Sequence, residues 1–218
     1  ADASAVVSPT PSVVYQYGVR IGDEEMMAMG AWLAQDQDLA HPQVDRMGSL
    51  GRLLPALFMR DELMALEARQ PLPRDVWLPE IEVMVARDQA GSSEGLFVAA
   101  KGGHNDESHN HNDVGNWIVY VDGRPVLGDA GGEEYTRKTF SSERYTIWTM
   151  QSGYHSLLPT VDGMMQAPGR SFAAHDAAYQ ADEESATFSL DIAGAYPAEA
   201  RLARWQRSIS LRYGQAVE

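Results

Sequence analysis

The spacing of hydrophobic positions changes part-way along the chain. Met26, Met29 and Leu33 recur at helical intervals with Trp32 beside them. Asp23 or Gly22 stands where a cap belongs, and Glu24 and Glu25 suit the positive end of a helix. A second helical pattern runs from about Met47 through Leu50, Leu53, Leu54, Leu57 and Phe58. Pro55 is expected to kink or restart it, and Asp61 to cap a last short turn carrying Leu63, Met64 and Leu66. Residues 1–12 are small, polar and broken by proline, and read as an irregular lead-in.

After Pro71 and Pro73 the period falls to two. Ile81, Val83 and Val85 alternate with Glu80, Glu82 and Met84, which predicts a strand. Further strands are predicted over 96–100, 146–149, 160–165, 171–174, 186–192 and 202–211. Residues 116–121 and 124–129 flank Asp122-Gly123, a pair suited to a tight primed turn, and predict a hairpin. Asp162-Gly163 offers a second such turn. Helices come first and strands follow, so the expected class is α+β, with a helical part over 1–75 and an antiparallel β-sandwich over 76–218.

Composition narrows the function classes. In 218 residues, 44% hydrophobic and 22% charged, a globular protein with an ample core is expected. No stretch approaches the roughly 20 apolar residues of a membrane helix, so no membrane association is expected. No basic-then-apolar leader is visible, but the chain opens on Ala1. A fragment or processed chain is the expectation, and the missing leader says nothing about compartment. The net charge of −14 argues against nucleic acid as a partner, while leaving room for an anionic ligand in one locally basic cleft. With no cysteine, disulfides and thiolate metal sites are excluded.

The chemistry concentrates in one polar segment, Lys101-Gly-Gly-His-Asn-Asp-Glu-Ser-His-Asn-His-Asn-Asp113, set between two predicted strands. Three of the six histidines, His104, His109 and His111, fall within it. His41 and His175 read as surface or hydrogen-bonded residues, and His104 as a loop residue. If the segment is extended, His109 and His111 project from one face. They then share a metal, or one binds it while the other faces a substrate. Pairing through Asp122-Gly123 sets Asp129 opposite Asn116, five residues from His111, or about 16 Å along an extended strand. The loop containing Gly115 must fold back for Asp129 to meet His111. His155 is the third candidate ligand. Two imidazoles and a carboxylate without sulfur suit zinc, with manganese or iron as alternatives.

Gly102-Gly-His-Asn-Asp-Glu-Ser-His-Asn-His-Asn-Asp-Val-Gly115, then Val126-Leu-Gly-Asp-Ala-Gly131, resembles the heparinase II/III-like family. Arg144-Tyr-Thr-Ile-Trp-Thr-Met-Gln-Ser-Gly-Tyr-His155 and Leu158-Pro-Thr-Val-Asp-Gly163 resemble its next block. The resemblance is direct over about 100–165 and loose elsewhere. It implies that the helices are the last of an incomplete α/α toroid joined to an antiparallel β-sandwich. It implies cleavage of an acidic, uronate-containing polysaccharide by β-elimination, with a mainly structural Zn2+ on His111, Asp129 and His155. His109 matches the histidine that contacts the uronate, with Tyr135 and Tyr145 as alternative catalytic tyrosines and Asn110 and Arg144 as further substrate contacts. Lys101, Arg137 and Lys138 are candidates for local positive charge, and Glu107 and Asp113 for partners of the ligands or loop caps. Ser156 stands where many relatives carry Asn, and there is an apparent extra residue before Pro159. Since the principal catalytic tyrosine and asparagine of such lyases lie in the toroid, these 218 residues alone are expected to be inactive. Two other readings compete: a non-catalytic carbohydrate-binding sandwich with a structural metal, and a metal-dependent hydrolase or cupin-like enzyme.

Overall fold

In a computed structural model, which describes residues 9–37, 50–156 and 158–218, the chain divides into two compact units, Val6–Leu72 and Pro73–Glu218. His41 and the expected helix start at Met47 lie outside the described residues.

The first unit is helical. Helix α1 (Pro11–Ile21) starts with proline at its first position, where the missing N–H costs nothing, and ends at Gly22 in the left-handed conformation. It begins inside the segment expected to be an irregular lead-in. Helix α2 (Glu24–Asp36) is capped by Asp23, whose side chain accepts the Met26 N–H at 2.9 Å. Helix α3 (Leu50–Phe58) carries Pro55 in its interior without breaking. The break falls instead at Met59, ahead of α4 (Arg60–Ala65), so Asp61 lies inside a first turn rather than capping it. Tyr15, Ala34, Ala56 and Leu63 form this unit's core.

The second unit is built from antiparallel sheets. Strands β1 (Asp75–Leu78), β2 (Val83–Arg87), β3 (Leu96–Lys101), β5 (Trp117–Val121) and β6 (Arg124–Leu127) form one sheet in the order β1-β2-β3-β5-β6. Strands β8 (His175–Ala181), β9 (Ser185–Asp191), β10 (Gln206–Arg212) and β11 (Ala216–Val217) form another, in the order β11-β10-β9-β8. Two-residue β4 (His104–Asn105) pairs with β7 (Gly169–Ala173). Met84, Ala86, Val98, Ala100 and Val119 of the first sheet share one core with Phe188, Leu190, Ile209 and Leu211 of the second. Trp77 seals one flank, its ring 5.3 Å from Phe188 and stacked on Tyr179 at 5.6 Å.

Three sequence expectations change here, one of them over 160–165, where an isolated bridge between Val161 and Met164 stands in place of a strand. β2 buries Met84 and Ala86, the opposite face from the Ile81/Val83/Val85 set, and Ile81 sits in the turn before it, 51% exposed. The expected strand over 146–149 is a run of 3-10 turns. By contrast, Asp122 (φ 50°) and Gly123 (φ 71°) form the primed turn of the β5–β6 hairpin. No helix among the described residues is long and apolar enough to cross a membrane.

Candidate metal centre and adjoining site

The polar segment leaves the sheet after β3 and returns into β5. Its return is a tight one: Gly115 has φ 83°, and the Asn116 N–H bonds back to the Asp113 carbonyl at 2.9 Å. A Cβ on Gly115 would lie 2.8 Å from the Ile192 side chain, so both the conformation and the space require glycine. This reversal, together with a register shift in the β5–β6 hairpin at Val119/Tyr120, takes up the distance between His111 and Asp129.

The result is a cluster of three side chains. The ligand atoms of His111, Asp129 and His155 all lie within 4.8 Å of one another. His155 Nδ1 is 2.8 Å from Asp129 Oδ2, and the rings of His111 and His155 are 5.3 Å apart. Asp129 Oδ1 accepts the Gly131 N–H at 2.8 Å. Asn116 braces the trio: its amide donates to Asp129 Oδ2, and its oxygen accepts the Ser156 N–H. The Ser156 hydroxyl reaches the Gly128 carbonyl at 3.1 Å, so serine at this position ties the two ligand segments together.

His111 is 1% exposed, yet neither of its ring nitrogens has a hydrogen-bond partner among the described residues, and His155 Nε2 has none either. A buried polar atom left in that state costs about 1–3 kcal/mol. One nitrogen from each of these two rings, set beside the Asp129 carboxylate, fits the needs of a divalent cation. Burial pushes the His111 imidazole down to about 4, so it is neutral and able to ligate at ordinary pH. Burial raises the Asp129 carboxyl, but its hydrogen bond to His155, the charge interaction with that ring and the Gly131 N–H together outweigh that and hold it well below the usual carboxylate range.

The His111 shift has a testable consequence for the metal-free chain. The unfolded chain takes up this proton near pH 6.5, the folded chain only near pH 4. Stability is therefore fully present above about pH 6.5 and is lost as pH falls towards 4. Thermal midpoints in chelator over that range are expected to fall more steeply for the native chain than for His111→Gln. Parallel curves would show that this imidazole is solvated.

His109 takes a different direction. Its backbone is left-handed, with φ 56°, so the segment is not extended there and the two rings do not share a face. His109 is exposed, with Nδ1 3.0 Å from the Tyr135 hydroxyl and its ring 5.7 Å from that of Phe140. Tyr145 is half-buried, and its hydroxyl receives the Asn110 amide at 3.1 Å. Between the two alternatives, Tyr135 is the tyrosine that meets His109.

Asn110 and Arg144 are placed otherwise than expected. Both are buried, and they face each other: the Arg144 guanidinium donates twice to the Asn110 carbonyl, at 2.9 and 2.7 Å, and once to the Thr139 carbonyl at 2.6 Å. They shape the loop instead of presenting themselves to a ligand. Lys101 is likewise committed, to Asp113 at 2.8 Å and Glu107 at 3.3 Å. Burial pushes Asp113 up, but the charge and hydrogen bond of Lys101, with other positive charge nearby, hold it low. Arg137 and Lys138 are exposed.

Gln166 gave no sign of its role in the sequence. Its side-chain oxygen accepts from the Asn105 amide and the Val114 N–H, and its amide donates to the Val114 carbonyl at 2.8 Å. Its backbone carbonyl accepts from the Asn112 amide, and its N–H donates to the Ser152 hydroxyl. One buried glutamine thus staples both flanks of the segment carrying His111 to the segment leading to His155.

Among solved structures, a heparinase III with methylated lysines matches 97% of this chain at 14% identity and a TM-score of 0.58. Heparan sulfate lyase HepC from Pedobacter heparinus matches 91% at 15% identity and 0.54, and a mutant of that enzyme 96% at 13% and 0.51. The fold is shared with these lyases. The chain spans 26%, 33% and 37% of their respective lengths. No family model matches the chain, and no curated protein does.

Proposed function

We propose that this chain is the sandwich-bearing part of a polysaccharide lyase acting on uronate-containing acidic glycans by β-elimination. The observation that carries the reading is the divergence of two histidines two residues apart: His111 faces inward to Asp129 and His155, while His109 faces outward to Tyr135. The shared fold with a heparinase III and a heparan sulfate lyase supports it, and that likeness includes the helices, which we assign to an α/α toroid.

His111, Asp129 and His155 would hold the cation, zinc by the chemistry of the donor set. When bound, the ion supplies a fixed point for the loop and satisfies one nitrogen of each buried imidazole. The loop then holds His109 in place through the short His109-Asn110-His111 link, with Asn110 pinned from behind by Arg144. In β-elimination a base removes the C5 proton, the C4–O bond breaks as the C4–C5 double bond forms, and the departing oxygen takes a proton. The C5 proton is weakly acidic unless the adjacent carboxylate is neutralised, because charge must spread onto that group. His109, joined to the Tyr135 hydroxyl at 3.0 Å, is placed to hydrogen-bond that carboxylate or relay a proton.

The test is new ultraviolet absorbance from the unsaturated product. The 218-residue chain by itself is expected to show none, because the toroid supplies the remaining groups. A protein that includes the toroid is expected to eliminate acidic glycans and to lose at least a hundredfold in rate as His109→Ala. Strong activity from the 218 residues alone would overturn the shared site.

A further inference from the structure

We infer that Trp148 and Tyr154 form a stacking platform for a second sugar ring of the same acidic glycan, an inference that rests on the reading above. Residues 144–154 form three successive 3-10 turns, Arg144–Thr146, Trp148–Met150 and Ser152–Tyr154. Each turn is closed by a main-chain bond of 3.0–3.1 Å: Ile147 to Arg144, Gln151 to Trp148 and His155 to Ser152. The inner side of this run is buried at Arg144, Thr149, Met150, Ser152 and His155. The outer side shows Trp148, 46% exposed, and Tyr154, 54% exposed, with ring centroids 5.3 Å apart and planes at 76°.

Single exposed apolar side chains are ordinary, but two large aromatics packed on one another above a fixed backbone are not. Such a pair has little conformational freedom left to lose on binding. Its electron-rich ring faces suit the C–H groups on the apolar face of a pyranose. Charge favours an acidic sugar: the Lys138 ammonium lies 3.4 Å from the Thr146 hydroxyl, two residues before Trp148, with Arg137 exposed beside it in sequence. The run 144–154 itself carries no acid, and Glu143 directly precedes it.

The run also connects to the site already described. Tyr145, whose hydroxyl holds the residue next to His109, is three residues from Trp148, a reach of at most about 10 Å. Tyr154 directly precedes His155. In this reading, a glycan unit at His109 and another on Trp148/Tyr154 belong to one oligosaccharide.

The experiment measures binding of heparan sulfate di- and hexasaccharides to the 218-residue chain by tryptophan fluorescence and calorimetry. Trp148→Ala and Tyr154→Ala are each expected to weaken the hexasaccharide about tenfold and to leave the disaccharide unchanged. Metal content and melting temperature stay as in the unaltered chain, and Trp148→Phe restores most of the hexasaccharide affinity. If both alanine variants bind the hexasaccharide normally while His109→Ala loses it, the platform is refuted and the lyase reading stands. If the unaltered chain binds the hexasaccharide no more tightly than the disaccharide, the platform is refuted and the lyase reading is left to the elimination assay.

Discussion

His111→Ala and Asp129→Ala are each expected to bring the metal content of the purified chain from about one ion to near zero. They should also lower its thermal midpoint by about 10 °C. Each change removes one of three protein ligands, and two remaining donors do not hold a divalent ion against a chelator. An ion present at about a thousand times its dissociation constant contributes about 4 kcal/mol to the folded state, and a chain of this size shifts by about 2–4 °C per kcal/mol. His109→Ala keeps both the ion and the midpoint, since His109 bonds Tyr135 and not the trio. The comparison has an internal control. With the ion chelated, the native imidazole is a buried group without a partner, so His111→Ala should then cost much less than it does in the loaded chain. Elemental analysis and calorimetry read both quantities. A native chain that retains no divalent ion, and whose midpoint zinc does not raise, would refute the metal centre.

The second large effect is expected at Arg144. Arg144→Met keeps most of the side chain's length but removes three charge-assisted donors from two buried carbonyls, those of Asn110 and Thr139. Unsatisfied acceptors at both places should cost about 3–4 kcal/mol, or roughly 10 °C in midpoint. Arg144→Lys should recover little, because a single ammonium cannot reproduce the fork that spans the two carbonyls. Zinc affinity should fall along with stability, since the carbonyl that Arg144 grips adjoins His111. A variant that melts normally and loses only glycan binding would restore Arg144 to the substrate-contacting role read from the sequence.

That reversal shows where sequence reasoning stops. An arginine in a polar, functional-looking stretch carries the same letters whether its guanidinium meets a ligand or a buried main-chain carbonyl. The meeting of His111, Asp129 and His155 was legible because the motif as a whole named the three positions. The Asp122-Gly123 turn was legible because it needs positive φ at both residues, which few pairs accept. The face of β2 was misread: Ile81 looks like the start of the alternation, but it precedes the strand, and the buried set is Met84 and Ala86. Strand β8 left no signal, because it lies at a sheet edge with His175, Asp176, Gln180 and Ala181 exposed. Helix α1 was missed altogether: Pro11 reads as a breaker, although at a first helical position it is favourable.

The staples around the centre are mostly neutral amides: Gln166 to Asn105, Val114 and Asn112, and Asn116 to Ser156. Neutral amides do not titrate and are little affected by salt, unlike the carboxylates and imidazoles they surround. The scaffold's shape is thus decoupled from the ionic conditions that load or empty it. A glycan carrying its own cloud of counterions can arrive and depart without loosening the frame on which His109 is mounted.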